Sequence, residues 1–96
     1  MKVATTLLVS AWLLFAPVLG DGHSLCACQS RSNGPTVDSA TQACCSRVGA
    51  QLTQDRLPAS GGIKYAGQYC QGKDISGDQF YDCCRNNGGG DSTCPF

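Results

Sequence analysis

The sequence predicts a small disulfide-rich α+β domain: two short helices each carrying a Cys-Cys doublet, plus a short antiparallel β element, held by four disulfides. Three observations lead there. Eight cysteines fall within 96 residues, and all lie downstream of a segment with the physical character of an export signal, so they belong to a compartment where thiols oxidise. Four of the eight are arranged as two adjacent pairs, Cys44-Cys45 and Cys83-Cys84. Both doublets sit in stretches with helical periodicity and helix start signals.

The leader comes first. Lys2 supplies a positive start, and Val3 to Phe15 is apolar apart from Thr5, Thr6 and Ser10. Val18-Leu19-Gly20 offers small or modest side chains ahead of a cut before Asp21, which is the anatomy of a secretory signal. The apolar run falls short of the ~20 residues a spanning helix needs, and Pro17 closes it. Residues 1–20 therefore read as a signal peptide and residues 21–96 as a single disulfide-stabilised domain, exported and without a membrane span. That domain carries six lysine and arginine side chains against seven aspartates, and no glutamate, tryptophan or methionine. With no run of basic residues, it lacks the clustered charge that captures nucleic acid or an anionic membrane. The same balance weighs against a cationic antimicrobial peptide.

Cysteine makes up about a tenth of residues 21–96, the level of a disulfide scaffold. Four bridges at about 2–4 kcal/mol each match the whole ~5–15 kcal/mol margin of a typical domain, so the reduced chain is expected to be unfolded or molten. Neighbouring cysteines have Cα atoms ~3.8 Å apart, too close for an ordinary disulfide, and Cys26 with Cys28 would close a tiny ring. Removing these three self-pairs leaves about 68 of the 105 pairings open to eight cysteines. Each doublet must then reach two different partners, which makes Cys44-Cys45 and Cys83-Cys84 hubs of the fold.

Residues 21–36 read as extended or looped, with turn chemistry at Ser30-Arg31-Ser32-Asn33-Gly34-Pro35. A helix follows at about 39–48: Ser39 and Gln42 have capping-box spacing, Ala40, Cys44 and Val48 recur on one stripe with Ala43 beside them, and Gly49 suits a left-handed stop. Residues 50–62 lose periodicity and read as a long exposed loop. Ile63, Tyr65 and Tyr69-Cys70 read as strand, with Gly67 a bulge or turn. The second helix is the clearest local signal. Ser76 and Gln79 form a capping box, Ile75 and Phe80 a hydrophobic staple, and Phe80, Cys83, Cys84 and Asn87 share a face. Gly88-Gly89-Gly90 ends it and opens a mobile loop to Cys94, which pins Phe96 to the core.

Catalytic chemistry finds little material. His23 is the one histidine, near a frayed start, and no glutamate is present for acid–base work, so no catalytic residue is expected. Tyr65 to Gly72, together with Asp82-Cys83-Cys84, is similar to the calcium loop and doublet helix of secreted phospholipases. Asn87 and Gly88 stand where that pattern needs its histidine and aspartate, so the chemistry does not carry over. Cys44-Cys45-Ser46-Arg47-Val48-Gly49 is similar to the hevein-type chitin-binding core, but Gln51 replaces its next cysteine and the sugar-stacking aromatics are missing. The cysteine order also differs from that of hydrophobins. In an exported chain the cysteines are expected as disulfides rather than metal ligands, and no metal or other cofactor is expected.

Taken whole, residues 21–96 resemble the fungal small secreted cysteine-rich proteins of the effector type, through the export signal, the small size and the pattern Cys26-x-Cys28, Cys44-Cys45, Cys70, Cys83-Cys84, Cys94. The resemblance implies a non-catalytic virulence factor in host interaction that damps plant immunity from the apoplast, with a host protein or a cell-wall component as partner. A small antimicrobial or toxin-like protein and a wall-associated structural protein are the other readings. Partner contact is expected on loops between crosslinks, at Arg56 and Leu57 in the 50–62 loop and around Tyr65 and Tyr69.

Overall fold

The computed structural model describes residues 22–96; the expected signal peptide, residues 1–20, lies outside them. The chain forms β1 (Gly22–Gln29), α1 (Asp38–Arg47), β2 (Gln51–Leu52), a 3-10 turn (Ser60–Gly62), β3 (Cys70–Ser76), α2 (Gly77–Asn86) and β4 (Asp91–Thr93). The strands make one antiparallel sheet in the order β2-β3-β1-β4. This is the disulfide-rich α+β fold expected, with a larger sheet than the sequence indicated.

β1 is one of the two inner strands, and its burial on both faces explains why it is easily overlooked. Cys26 and Cys28 turn to one face, where they join Ala40, Cys44, Cys45, Phe80 and Cys84 of the helices. Leu25 and Ala27 turn to the other, where they pack with Ile63 and Tyr69. Both faces are covered, so the strand shows no apolar/polar alternation, and a reading of residues 21–36 as merely extended or looped misses it. His23 is not frayed: it pairs with Ile75 across the sheet.

The helices are close to where their signals place them, but they start differently. In α2 the Ser76 hydroxyl accepts from the Gln79 amide at 3.3 Å, and Ile75 and Phe80 are both buried in the main core. In α1 Ser39 is not the cap. The helix begins one residue earlier behind Val37, without a side-chain cap. Its inward face is Ala40, Thr41, Cys44 and Cys45, while Ala43 and Val48 face solvent, because the helix ends at Arg47 before Val48 can complete the stripe. Gly49 takes the left-handed stop at φ 68°. Thr41 is the polar member of the buried face. Its hydroxyl accepts from the Cys28 amide at 2.9 Å and lies 3.3 Å from the Val37 carbonyl, to which it donates, so both faces of its chemistry are used.

Three strand assignments are corrected. Ile63 and Tyr65 lie outside any strand; the strand starts at Cys70 and runs on to Ser76, directly into α2. The mobile loop expected after Gly90 is instead β4, paired with β1 through Ala27↔Thr93, Cys28↔Ser92 and Gln29↔Asp91. The supposed loop 50–62 also contributes β2, through Gln51↔Gln71 and Leu52↔Cys70. For β4 and β2 the pairing partner is remote in sequence, so local propensity does not report it.

The disulfides are Cys26–Cys94, Cys28–Cys84, Cys44–Cys83 and Cys45–Cys70, with Cα separations of 4.1, 5.3, 5.7 and 5.2 Å. Each doublet does reach two partners. Together they tie β1 to the segment after β4, β1 to α2, α1 to α2, and α1 to β3, so both helices are fastened to the sheet and to each other.

Candidate functional site

Residues 53–69 cover the sheet face opposite the helices, and the rim of that cover holds the candidate site. Its base is fixed by the main chain. The Thr53 amide donates to the Tyr69 carbonyl at 2.8 Å, and the Tyr69 amide to the Thr53 hydroxyl at 3.1 Å. Further out, Arg56 and Gly67 exchange two backbone bonds of 2.9 and 3.0 Å. Gly67 is required there: its φ is +145°, and a Cβ would overlap the Thr36 hydroxyl. Beyond this bridge the chain turns, leaving Leu57 68% exposed.

Arg56 and Leu57, the loop residues singled out in the sequence, stand side by side on this rim. They line a shallow depression of about 680 Å³ with Gln54, Asp55 and Gln71 among its walls. Arg56 and Gln71 also line a smaller adjoining one, of about 190 Å³, with Ser24, Gly72 and Phe96. The two depressions form one continuous surface of mixed character: a guanidinium, a carboxylate, two carboxamides and two exposed apolar side chains.

The tyrosines behave differently. Tyr69 is 1% exposed and donates its hydroxyl to the Tyr65 carbonyl at 2.8 Å. Burial raises its phenol above the ordinary value. It is a core residue, and its place as a contact residue is withdrawn: the segment 63–69 folds over the sheet face and needs a large side chain to fill the space against Leu25 and Ala27. Tyr65 is half-buried, with the Lys64 ammonium 5.9 Å from its ring centroid.

Gln71 and Phe96 belong to the surface and were not foreseen. Gln71 follows buried Cys70 on β3 and points away from it, a position readable only once β3 is known to continue. Phe96 is not pinned by burial, since the residue is 52% exposed. What is pinned is its carbonyl, which accepts from the Ser24 and Leu25 amides at 2.9 and 3.3 Å. The ring lies along Gly62, where a Cβ would come within 3.3 Å of it.

Elsewhere, the sulfurs of Cys28, Cys44 and Cys84 lie within 4.8 Å of one another. All three are in disulfides, so the cluster offers no thiolate to a metal. Asn87, where the phospholipase pattern has histidine, donates its amide to the Cys83 carbonyl at 2.9 Å. No helix among the described residues is long and apolar enough to cross a membrane. Comparison with protein-family models, with curated proteins and with solved structures finds no match to this chain.

Proposed function

We propose that this chain is a secreted virulence effector of fungal type, a non-catalytic binding module that engages a host protein in the apoplast and damps plant immunity. The observation that supports a binding module is the continuous surface of Arg56, Leu57, Gln71 and Phe96, mounted on a frame crosslinked by four disulfides. Exposed apolar side chains beside an arginine on a preordered loop are the composition of a contact site, since little ordering entropy remains to be lost on binding. The frame also suits a protease-rich extracellular setting.

The test is the reactive-oxygen burst in leaf tissue after an immune elicitor, with the chain expressed with and without residues 1–20. The expected result is suppression by the exported form and loss of suppression in Arg56→Ala/Leu57→Ala, with the variant's four disulfides intact by mass spectrometry. Suppression only by the form lacking residues 1–20 would overturn an apoplastic site of action. Full activity of the double variant would remove the loop surface from the proposal.

A second reading has one observation in its favour. The open ring of Phe96 borders polar side chains on both sides, Arg56 and Gln71 on one and His23, Lys73 and Asp74 on the other, an arrangement suited to a cell-wall polysaccharide. Co-sedimentation with chitin or glucan, abolished by Phe96→Ala, would favour it.

A further inference from the structure

We propose that the Cys44–Cys83 disulfide is a thiol-exchange site, the bond at which an amino-acid thiol of the cysteine or glutathione class first opens this crosslink set. The inference rests on the chemistry around the bond and is independent of the function proposed above.

Access is the first observation. Cys26, Cys28, Cys44, Cys70 and Cys84 are fully buried and Cys45 is 1% exposed, but Cys83 is 7% exposed. It lines a depression of about 270 Å³ where the end of α1 meets α2, with Arg47, Gln79, Asp82 and Asn86 on the rim. Stabilisation of the two departing thiolates, Cys44 in the first exchange and Cys83 in the second, is the second observation. The Arg47 guanidinium reaches to 4.0 Å from the Cys83 sulfur, and the Asn87 amide to 3.5 Å from the same sulfur and 3.9 Å from that of Cys44. Exchange is faster where the sulfur is accessible and where the departing thiolate is stabilised. Cys94 is more exposed than Cys83, so access alone does not single out Cys83; but among the described residues no N–H group is directed at the Cys94 sulfur or at that of Cys26.

The reaction balances as follows. The incoming thiolate attacks the Cys83 sulfur from the solvent side. A bond forms between reagent and Cys83, the Cys83–Cys44 bond breaks, and its electron pair leaves on Cys44 beside the Asn87 amide. A second reagent thiolate then attacks the reagent sulfur of the mixed disulfide. Cys83 departs as a thiolate beside Arg47, and the reagent leaves as its own disulfide. The Cys44 thiolate has another route, because its sulfur lies 4.0 Å from that of Cys28. Attack there forms Cys44–Cys28, breaks Cys28–Cys84 and places the electron pair on Cys84. The rim carries one charge of each sign, Arg47 and Asp82, which matches the carboxylate and ammonium of an amino-acid thiol.

Limited reduction of the oxidised chain with glutathione, quenched by alkylation and mapped by mass spectrometry, tests this. Expected is a first product labelled at Cys83 together with Cys44 or Cys84, with Cys26–Cys94 and Cys45–Cys70 intact. Arg47→Ala should slow its formation on the order of threefold to tenfold, and Arg47→Lys should restore the rate. First opening at Cys26–Cys94 or Cys45–Cys70, simultaneous loss of all four bridges, or an Arg47→Ala rate equal to that of the unaltered chain would each overturn the proposal.

Discussion

Thr41 shows how much a single side chain decides in a domain this small. Its hydroxyl is fully buried between α1 and β1 and serves the Cys28 amide, which sits in the middle of the core. Thr41→Val keeps the volume but leaves that amide without an acceptor, which costs about 1–3 kcal/mol. The expected outcome is a lower urea midpoint with an unchanged slope; an unchanged midpoint would show that the amide finds another partner. Gln29 plays a similar part at the strand's end, where its buried amide donates to the Gly34 carbonyl at 3.0 Å. Neither role is visible from the sequence. Threonine and glutamine carry no mark of burial, and their partners are 13 and 5 residues away.

At the scale of the element, the two helices differ in what starts them. α2 has its cap, its staple and its glycine stop within one continuous stretch, so it is legible in the chain and stands where expected. α1 has a plausible cap in Ser39 that the structure does not use; Asp38 turns outward instead, and its carboxylate accepts from the Gln68 amide at 3.0 Å. Ser76→Ala should therefore cost about 1 kcal/mol, whereas Ser39→Ala, at an exposed position, should stay within about 0.5 kcal/mol of the unaltered chain. Thermal melts of the two variants check the contrast, and equal losses would mean that Ser39 contributes a cap after all. The strands fare worse in a local reading. β4 is three residues after a glycine run and β2 only two, and each exists through backbone bonds to a strand far along the chain.

For the whole molecule, the crosslinks and the core cannot be separated. Eight of the core's buried or partly buried side chains are the half-cystines themselves, and the large apolar groups beside them are few: Phe80 and Ile75 on one face, Tyr69, Ile63 and Leu25 on the other. Opening all four bridges removes a contribution of about 8–16 kcal/mol and leaves eight thiols in place of the core's covalent centre. The fully reduced, alkylated chain should give a disordered circular-dichroism spectrum with no cooperative melt. A melt matching that of the oxidised protein would show that packing alone suffices. The proposed contact surface depends on the same frame, because Arg56 reaches Gln71 and Phe96 only when residues 53–69 lie across the sheet.

The sequence by itself determined the class of the domain, the oxidised state of its cysteines, the two helices, and the rule that each doublet reaches two partners. These follow from composition, spacing and covalent geometry, which are local. It also pointed to a loop carrying Arg56 and Leu57, of which Leu57 is exposed and Arg56 half-buried. The tertiary structure alone decided which cysteines pair, that Tyr69 is core while Phe96 is surface, and that Gln71 joins Arg56 on a shared rim. Those outcomes depend on strand pairing and on burial from both sides of β1, and such contacts join residues whose separation along the chain carries no local signal.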